Sequence, residues 1–423
     1  MKEERIPETH GSHGWVVFGI IASIYFLVYF HRVSTSVIAP DLLTAFQTDA
    51  TTLGFMSSLY FYVYAFEQPL VGYLTDRLGP RRVISIWTLA AAFGCLVFGL
   101  APTIGWASVG RAIIGFGVGG VYVPGLKAVS QWFETNKFST MTGLFLGAGN
   151  LGAIVATTPL VWVAGACGWR VSFYLIAGIT VALAMAAFFL TCDHTVASSP
   201  AALSDAVQDT SSRNPSPPIV SVLASVHFWI YGILLFGIVG TLLTLQGLWA
   251  TPYLISRFGI TLIYASKINM LIPLGFITGA PLWGWLGNRV QNKITLFAGL
   301  LLITVGMWIF LIIDRSPGGI PGVMIVMFIM GGAAGGLFTI LWTLVRESTP
   351  SSVLGLTLGL LNPFPMFGIA VFQVVTGAVL DRVGQINGIY PFEAYQEAFI
   401  LCLAVTGVCF VIALIARKRL SEK

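Results

Sequence analysis

Charge is the scarcest ingredient of this 423-residue sequence: 9% of residues are Asp, Glu, Lys or Arg, while 56% are hydrophobic. A soluble domain averages about 25% charged residues. A shortfall of that size leaves too little polar surface to face water, so most of the surface must face lipid. Soluble enzymes, disordered chains and disulfide-stapled secreted domains are excluded. Cysteine is sparse as well: Cys95, Cys167, Cys192, Cys402 and Cys409 lie scattered with no C-x-x-C pair. Neither a disulfide framework nor a metal site is expected. A phosphate-binding G-x-x-x-x-G-K-[ST] loop is absent, so no nucleotide drives the protein and no cofactor is called for. The net charge of +5 is small for the length, and no nucleic-acid partner is expected. No N-x-[ST] sequon occurs, in keeping with a bacterial inner membrane.

What is present is apolar sequence in long runs without β-barrel alternation. Twelve segments read as membrane helices: 15–38, 52–74, 83–101, 106–132, 139–164, 169–191, 227–250, 262–286, 294–313, 322–345, 353–380 and 395–416. The first, starting at Trp15, is too long for a signal-peptide core and is expected to stay in the mature protein. A polar stretch rich in Ser, Ala, Pro and Asp, residues 192–219, reads as a flexible linker. It divides the chain into 1–191 and 220–423, six helices each. The halves share landmarks at one offset of 212: Pro40, Leu42 and Phe46 match Pro252, Leu254 and Phe258; Gly72 and Leu74 match Gly284 and Leu286; Gly119 and Gly120 match Gly331 and Gly332. Internal duplication of this kind marks transporters.

Positive charge sets the expected topology. With the N-terminus inside, fourteen Lys and Arg fall on the cytoplasmic side, against Arg170, Arg257, Arg315 and Arg382 on the other. Both termini are therefore expected in the cytoplasm.

The strongest motif runs Gly72-Tyr73-Leu74-Thr75-Asp76-Arg77-Leu78-Gly79-Pro80-Arg81-Arg82 between the second and third spans. It resembles the signature loop of the major facilitator superfamily. The likeness extends over the whole chain, although the second copy has Asn288 at the place of Asp76 and Gln291 at that of Gly79. The resemblance implies an all-α integral membrane fold of twelve helices in two pseudo-symmetric six-helix bundles. It further implies that Asp76, with Arg77 and Arg81, latches the halves in one state; the bland alternative is that the arginines only enforce topology. Arg111 opens a stretch, through Gly115, Gly117 and Gly119, that resembles a second family motif. Arg111 either acts in gating or snorkels from the outer end of its span.

Four bases fall within spans, Arg32, Arg111, Lys127 and Lys267, against one acid clearly inside, Glu67. Surplus buried positive charge points to a cavity that takes an anion. Arg32 lies eight residues before Pro40, an arrangement similar to organophosphate:phosphate antiporters of the superfamily. Those carry a second arginine where Thr244 stands here and a histidine where Gly149 stands, so a smaller or carboxylate-bearing anion is expected. Asn150, Thr244 and Trp249 are the other candidate binding residues, Trp249 being expected to face Arg32. Glu67 and Lys127 lie at equal depth and are expected to pair, as a gate or a structural bond. Glu67 and His31 are the candidate proton-coupling residues. Asn362-Pro363-Phe364-Pro365 breaks span eleven.

The expected protein is a secondary transporter of a small anion, by proton symport or anion exchange, functional as a monomer. The alternatives are transport of a neutral sugar or amino acid, export of hydrophobic compounds, and a sensor that does not transport. A membrane enzyme is disfavoured, because no nucleophile–base or carboxylate cluster lies in the spans.

Overall fold

The structure is a computed structural model and describes residues 9–191, 222–290, 292–313, 318–350, 353–386 and 388–421. The expected linker 192–219, Gln291, and Lys2, Arg5, Arg213, Arg315 and Lys423 of the charge count lie outside these residues.

Apolar runs become helices here because the bilayer offers no partner for backbone N–H and C=O groups. In the first half these are α1 (Thr9–Phe46), α2 (Ala50–Leu78), α3 (Pro80–Leu100), α4 (Ile104–Gly119), α5 (Tyr122–Trp132), α6 (Thr135–Val155) and α7 (Thr158–Leu190). The second half begins with α8 (Val226–Thr244), a π-helical turn (Leu245–Trp249), α9 (Ala250–Phe258), α10 (Leu262–Asn269) and α11 (Leu271–Arg289). It continues with α12 (Lys293–Ile312), α13 (Gly319–Ser348), α14 (Leu354–Leu361), α15 (Pro363–Val383) and α16 (Phe392–Ser421). Among the described residues no strand forms; Ile386 and Ile389 make one isolated bridge.

Ten stretches are long and apolar enough to cross a membrane. Two further crossings complete twelve. One is α2, whose hydropathy Glu67, Gln68 and Asp76 lower. The other is α6 with the start of α7, since Gly168 (φ 83°) breaks α7 and turns the chain back. The break expected at Asn362-Pro363 is found between α14 and α15. α1 runs on to Phe46, past its expected end at 38, and so carries Asp41 on its last turns.

The 212-residue duplication is visible in the helix ends. Asp49 caps α2 by accepting from Thr52 N, and Thr261 caps α10 by accepting from Tyr264 N, both pairs at that offset. Losing such a cap costs about 1 kcal/mol. Asp49→Ala is therefore expected to lower the melting temperature by about 1–2 °C, read by a thermal unfolding scan; no change would mean the cap is unused.

The side on which α1 begins and α16 ends is here called the terminal face, the opposite side the distal face. On the distal face the halves are sealed. α2 crosses α15 through Gly54 and Gly377: a Cβ at Gly54 would lie 2.3 Å from the Gln373 carbonyl oxygen, and one at Gly377 2.4 Å from that of Ala50. Past this crossing the Asp381 carboxylate takes the free N–H groups at the start of α2, Ala50 N at 3.0 Å and Thr51 N at 2.8 Å. The Thr51 and Tyr390 hydroxyls also donate to it. Burial and the bond to Asp381 push the Tyr390 phenol up to about 12, which keeps it a donor. A carboxylate at a helix N-terminus is favoured by the helix dipole and the unsatisfied N–H groups alike. Nearer the middle, Ser36 donates to Thr251 (3.2 Å), Asn269 to Ser36 (3.3 Å), and Thr158 pairs with Ser266 (3.1 Å). All hydrogen bonds joining the halves among the described residues lie in this distal half. Toward the terminal face, rings of Tyr62 and Phe66 meet Phe367.

Candidate functional site

Arg32 is placed by α1 and surrounded by tyrosines. Tyr25, Tyr29 and Arg32 share one face at helical spacing, and Tyr60 and Tyr64 of α2 face them. The guanidinium lies over the Tyr29 ring at 4.4 Å and near that of Tyr64 at 5.6 Å. Tyr25 stacks on Phe145 of α6 (4.2 Å) and on Tyr122 of α5 (5.6 Å), closing the cage from behind. Arg32 Nε is buried without a partner, and no described carboxylate pairs with the side chain. Ring faces lower the cost of the charge without neutralising it. An uncompensated cation at the meeting of the two halves is an anion site in waiting. Gly149 of α6 stands directly against the cage, where a Cβ would lie 2.8 Å from Tyr25 and 2.9 Å from Tyr29. The two tyrosines thus fill the space that the antiporters' histidine would need.

The other candidate binding residues stand differently from expectation. Asn150 gives its amide N–H to Leu146 O of its own helix (3.0 Å). Thr244 is buried and donates to Ile369 O (3.4 Å). Trp249 does not face Arg32: its indole donates to Thr376 (2.7 Å), inside the second half. The cause is the π-turn Leu245–Trp249, which inserts an extra residue and rotates the register that a straight α-helix would keep. Gly247 takes that place instead, its Cβ position only 2.8 Å from the Arg32 carbonyl oxygen.

The expected Glu67–Lys127 pair does not form. Lys127 Nζ reaches Asp76 at 2.7 Å and Thr75 O at 3.1 Å, toward the terminal face. Asp76 is 79% exposed and Lys127 33%, so this bond contributes about 0–1 kcal/mol. The two residues do not share a depth: Glu67 stands level with Gly119, whereas Lys127 bonds at the level of Thr75 and Asp76, eight residues or roughly 12 Å further along. Glu67 is turned toward α3, where Oε2 accepts from Trp87 Nε1 at 3.0 Å and Oε1 has no partner. It fits only because Gly119 ends α4 there: a Cβ would lie 1.6 Å from Oε1. Among the described residues Asp76 therefore bonds Lys127 of α5, and neither Arg77 nor the N-terminus of a facing helix. Arg77 lies over Tyr73 (4.7 Å), and Arg81 donates to Phe188 O (2.7 Å).

Arg111 does not snorkel. It is fully buried, donates to His31 O at 3.1 Å, and lies over Tyr60 at 4.9 Å. His31, about 100° around α1 from Arg32, faces away from the tyrosine cage, its Nε2 3.6 Å from Cys95 Sγ. Beside it a cavity of about 10 Å³, lined by Thr88 and Thr180 among others, has room for one water. Lys267 is exposed near the distal face. Among the described residues no cluster of His, Cys, Asp or Glu is fit to hold a metal.

The Major Facilitator Superfamily profile matches residues 21–372 and, in a second overlapping match, 245–423. The chain belongs to the major facilitator superfamily. Among its relatives is the D-galactonate transporter of Escherichia coli O6:H1, 22% identical over 95% of this chain and 96% of that one. The probable galactarate/D-glucarate transporter GudP of Bacillus subtilis is 22% identical over 89% and 88%. The probable sulfoacetate transporter SauU of Cupriavidus necator is 25% identical over 42% of this chain and 40% of its own length. The chain thus spans less than half the length of this last relative. A bacterial homologue of the human lysosomal transporter Spinster, solved in an inward-facing, occupied conformation, superposes with a TM-score of 0.76 at 14% identity, over 95% of this chain and 96% of that one. That likeness establishes the superfamily fold.

Proposed function

We propose that this superfamily member is a secondary transporter of small organic anions, with Arg32 as the seat of the carboxylate. One observation carries the reading: the half-buried Arg32, its Nε shut away from water and its head caged by Tyr29, Tyr60 and Tyr64, has no acidic partner among the described residues where the halves meet. The named solutes of the relatives, galactonate, galactarate, glucarate and sulfoacetate, are anions and support the same class. Residues 1–191 and 220–423 act as two bundles that rock about the site, joined by the linker 192–219. Both termini face the cytoplasm of a bacterial inner membrane, and a single chain suffices. With the distal face sealed, the site is reached from the terminal, cytoplasmic side. The seal at Asp381 is released in the opposite state, where Asp76 takes up its latch.

A thermal-shift screen of the detergent-purified protein tests the class. A solute that binds only the folded state raises its apparent melting temperature. Carboxylates are expected to do so; stabilisation by neutral or cationic compounds alone contradicts the reading.

Glu67 is the proton-coupling residue of this proposal. It is buried at the α4–α5 break, keeps one carboxylate oxygen unpartnered, and lies on the helix that carries Tyr60 and Tyr64. Glu67→Gln keeps the bond to Trp87 while removing the titrating group. It is expected to abolish uptake against a gradient in proteoliposomes with an imposed pH difference, yet to leave solute exchange intact. Undiminished accumulation would assign coupling elsewhere.

A further inference from the structure

Among the described residues, the second half offers Arg32 no second cation. What it offers is Gln373 of α15, fully buried, with neither Nε2 nor Oε1 bonded to any described residue. An amide shut away from water with both ends unsatisfied is disfavoured unless a ligand or an ordered water completes it. Its position is fixed by two glycines. The Gln373 backbone carbonyl meets Gly54 of α2, while Nε2 lies 4.0 Å from the Cβ position of Gly247, itself against the Arg32 carbonyl. The amide therefore stands where α1, α2 and the π-turn cross, level with the backbone of Arg32. The Arg32 head folds back onto Tyr29, about one helical turn or ~5 Å nearer the terminal face. Around the same crossing Thr35 Oγ1, one turn beyond Arg32, and Ser57 Oγ, one turn along α2 from Gly54, are also buried and unpartnered. Asn269 spends its N–H groups on Ser36, Thr251 and Gln246 O, leaving Oδ1 free.

These groups are all neutral. An amide that both donates and accepts matches a hydroxyl, which does the same, and is a poor match for a second carboxylate or a phosphate. We propose that Gln373 reads the hydroxyl groups of a hydroxylated carboxylate, a sugar-acid type of molecule, whose carboxylate rests on Arg32. The inference rests on the anion-transport reading and adds to it the rest of the substrate. It also joins the halves: the carboxylate is held by α1 and α2, the hydroxyls by α15, so a molecule long enough to reach both ties them together. A simple alkanoate binds one half and leaves the Gln373 amide empty, which a site built to hydrogen-bond a hydroxyl rejects.

The test compares hydroxylated acids (D-galactonate, D-galacturonate, D-glucarate) with unhydroxylated anions (n-hexanoate, sulfoacetate, nitrate) by thermal shift on purified wild type, Gln373→Leu and Arg32→Ala. Wild type is expected to be stabilised by at least one of the first set and far less by the second. Gln373→Leu should lose about 10–100-fold in affinity for the hydroxylated acid. Without ligand it should melt no lower than wild type, because an unsatisfied amide has been replaced by an apolar group of similar size. Binding confined to the second set, or to neither, overturns the proposal. So does an unchanged affinity of Gln373→Leu, or a drop of several degrees in its ligand-free melting temperature, which would mark the amide as structural. If Gln373→Leu binds as wild type while Arg32→Ala does not, the anion site stands and only the hydroxyl reading falls. If Arg32→Ala binds normally, the anion site itself is misplaced.

Discussion

Arg32→Ala should weaken binding of the transported anion by roughly 30-fold to several-thousand-fold. A buried, hydrogen-bonded charge pair broken on one side costs about 2–5 kcal/mol, and 1.4 kcal/mol is a factor of ten. The protein itself should survive the change. In the empty site the guanidinium has no salt bridge to lose, and its ring contacts are worth about 0.5–2 kcal/mol. Arg32→Lys should recover only part of the affinity, since an ammonium cannot present the planar fork that a carboxylate meets with two bonds. Isothermal titration on the three proteins separates the cases. Equal affinities, or an alanine variant too unstable to purify, would make Arg32 a structural residue.

Opening the distal seal should need only one side chain. Asp381→Ala removes the acceptor of two backbone N–H groups and two hydroxyls at the head of α2. Asp381 is partly exposed, so solvent screens these bonds, and about 1–3 kcal/mol of the closed state's advantage should go. That is about 5- to 150-fold in the ratio of closed to open forms. Gly377→Leu should act in the same direction by crowding the Ala50 carbonyl, over which no Cβ fits. The readout is labelling of a Ser36→Cys probe, buried within the seal, by an impermeant maleimide in a chain lacking its native cysteines. Both changes should raise the labelling rate from the distal side. Rates no different from the parent would show that the seal is held elsewhere.

Much of this fold is legible in the sequence because the bilayer writes it in long apolar runs. The turn at Gly168, the break at Asn362-Pro363 and the 212-residue repeat are all visible in the order of residues alone. Arg32 is legible too, because an unpaired base deep in a span is too costly to keep unless it serves a ligand or a water-filled path. What escapes is how the helices sit against one another. Counting from the helix ends gives Glu67 and Lys127 one depth, but the packing of α2 sets Glu67 beside Gly119, eight residues short of Lys127. The direction each faces depends on neighbours, and Gly119 and Trp87 take Glu67 away. Trp249 is misplaced by the π-turn, which no periodicity in LQGLW announces. Gln373 and Asp381 carry a weak signal, a second amide besides Asn362 inside span eleven and a lone acid at its end. A search that weighs charges alone passes over the first, and only the structure brings the second against the start of α2.

The most direct test of the account is solute counterflow in proteoliposomes loaded with unlabelled D-galactonate and diluted into trace labelled D-galactonate. Wild type should accumulate label transiently, Glu67→Gln should do so as well, and Arg32→Ala should not. Counterflow that persists in Arg32→Ala, or that occurs with neutral sugars while every anion is inert, would contradict it.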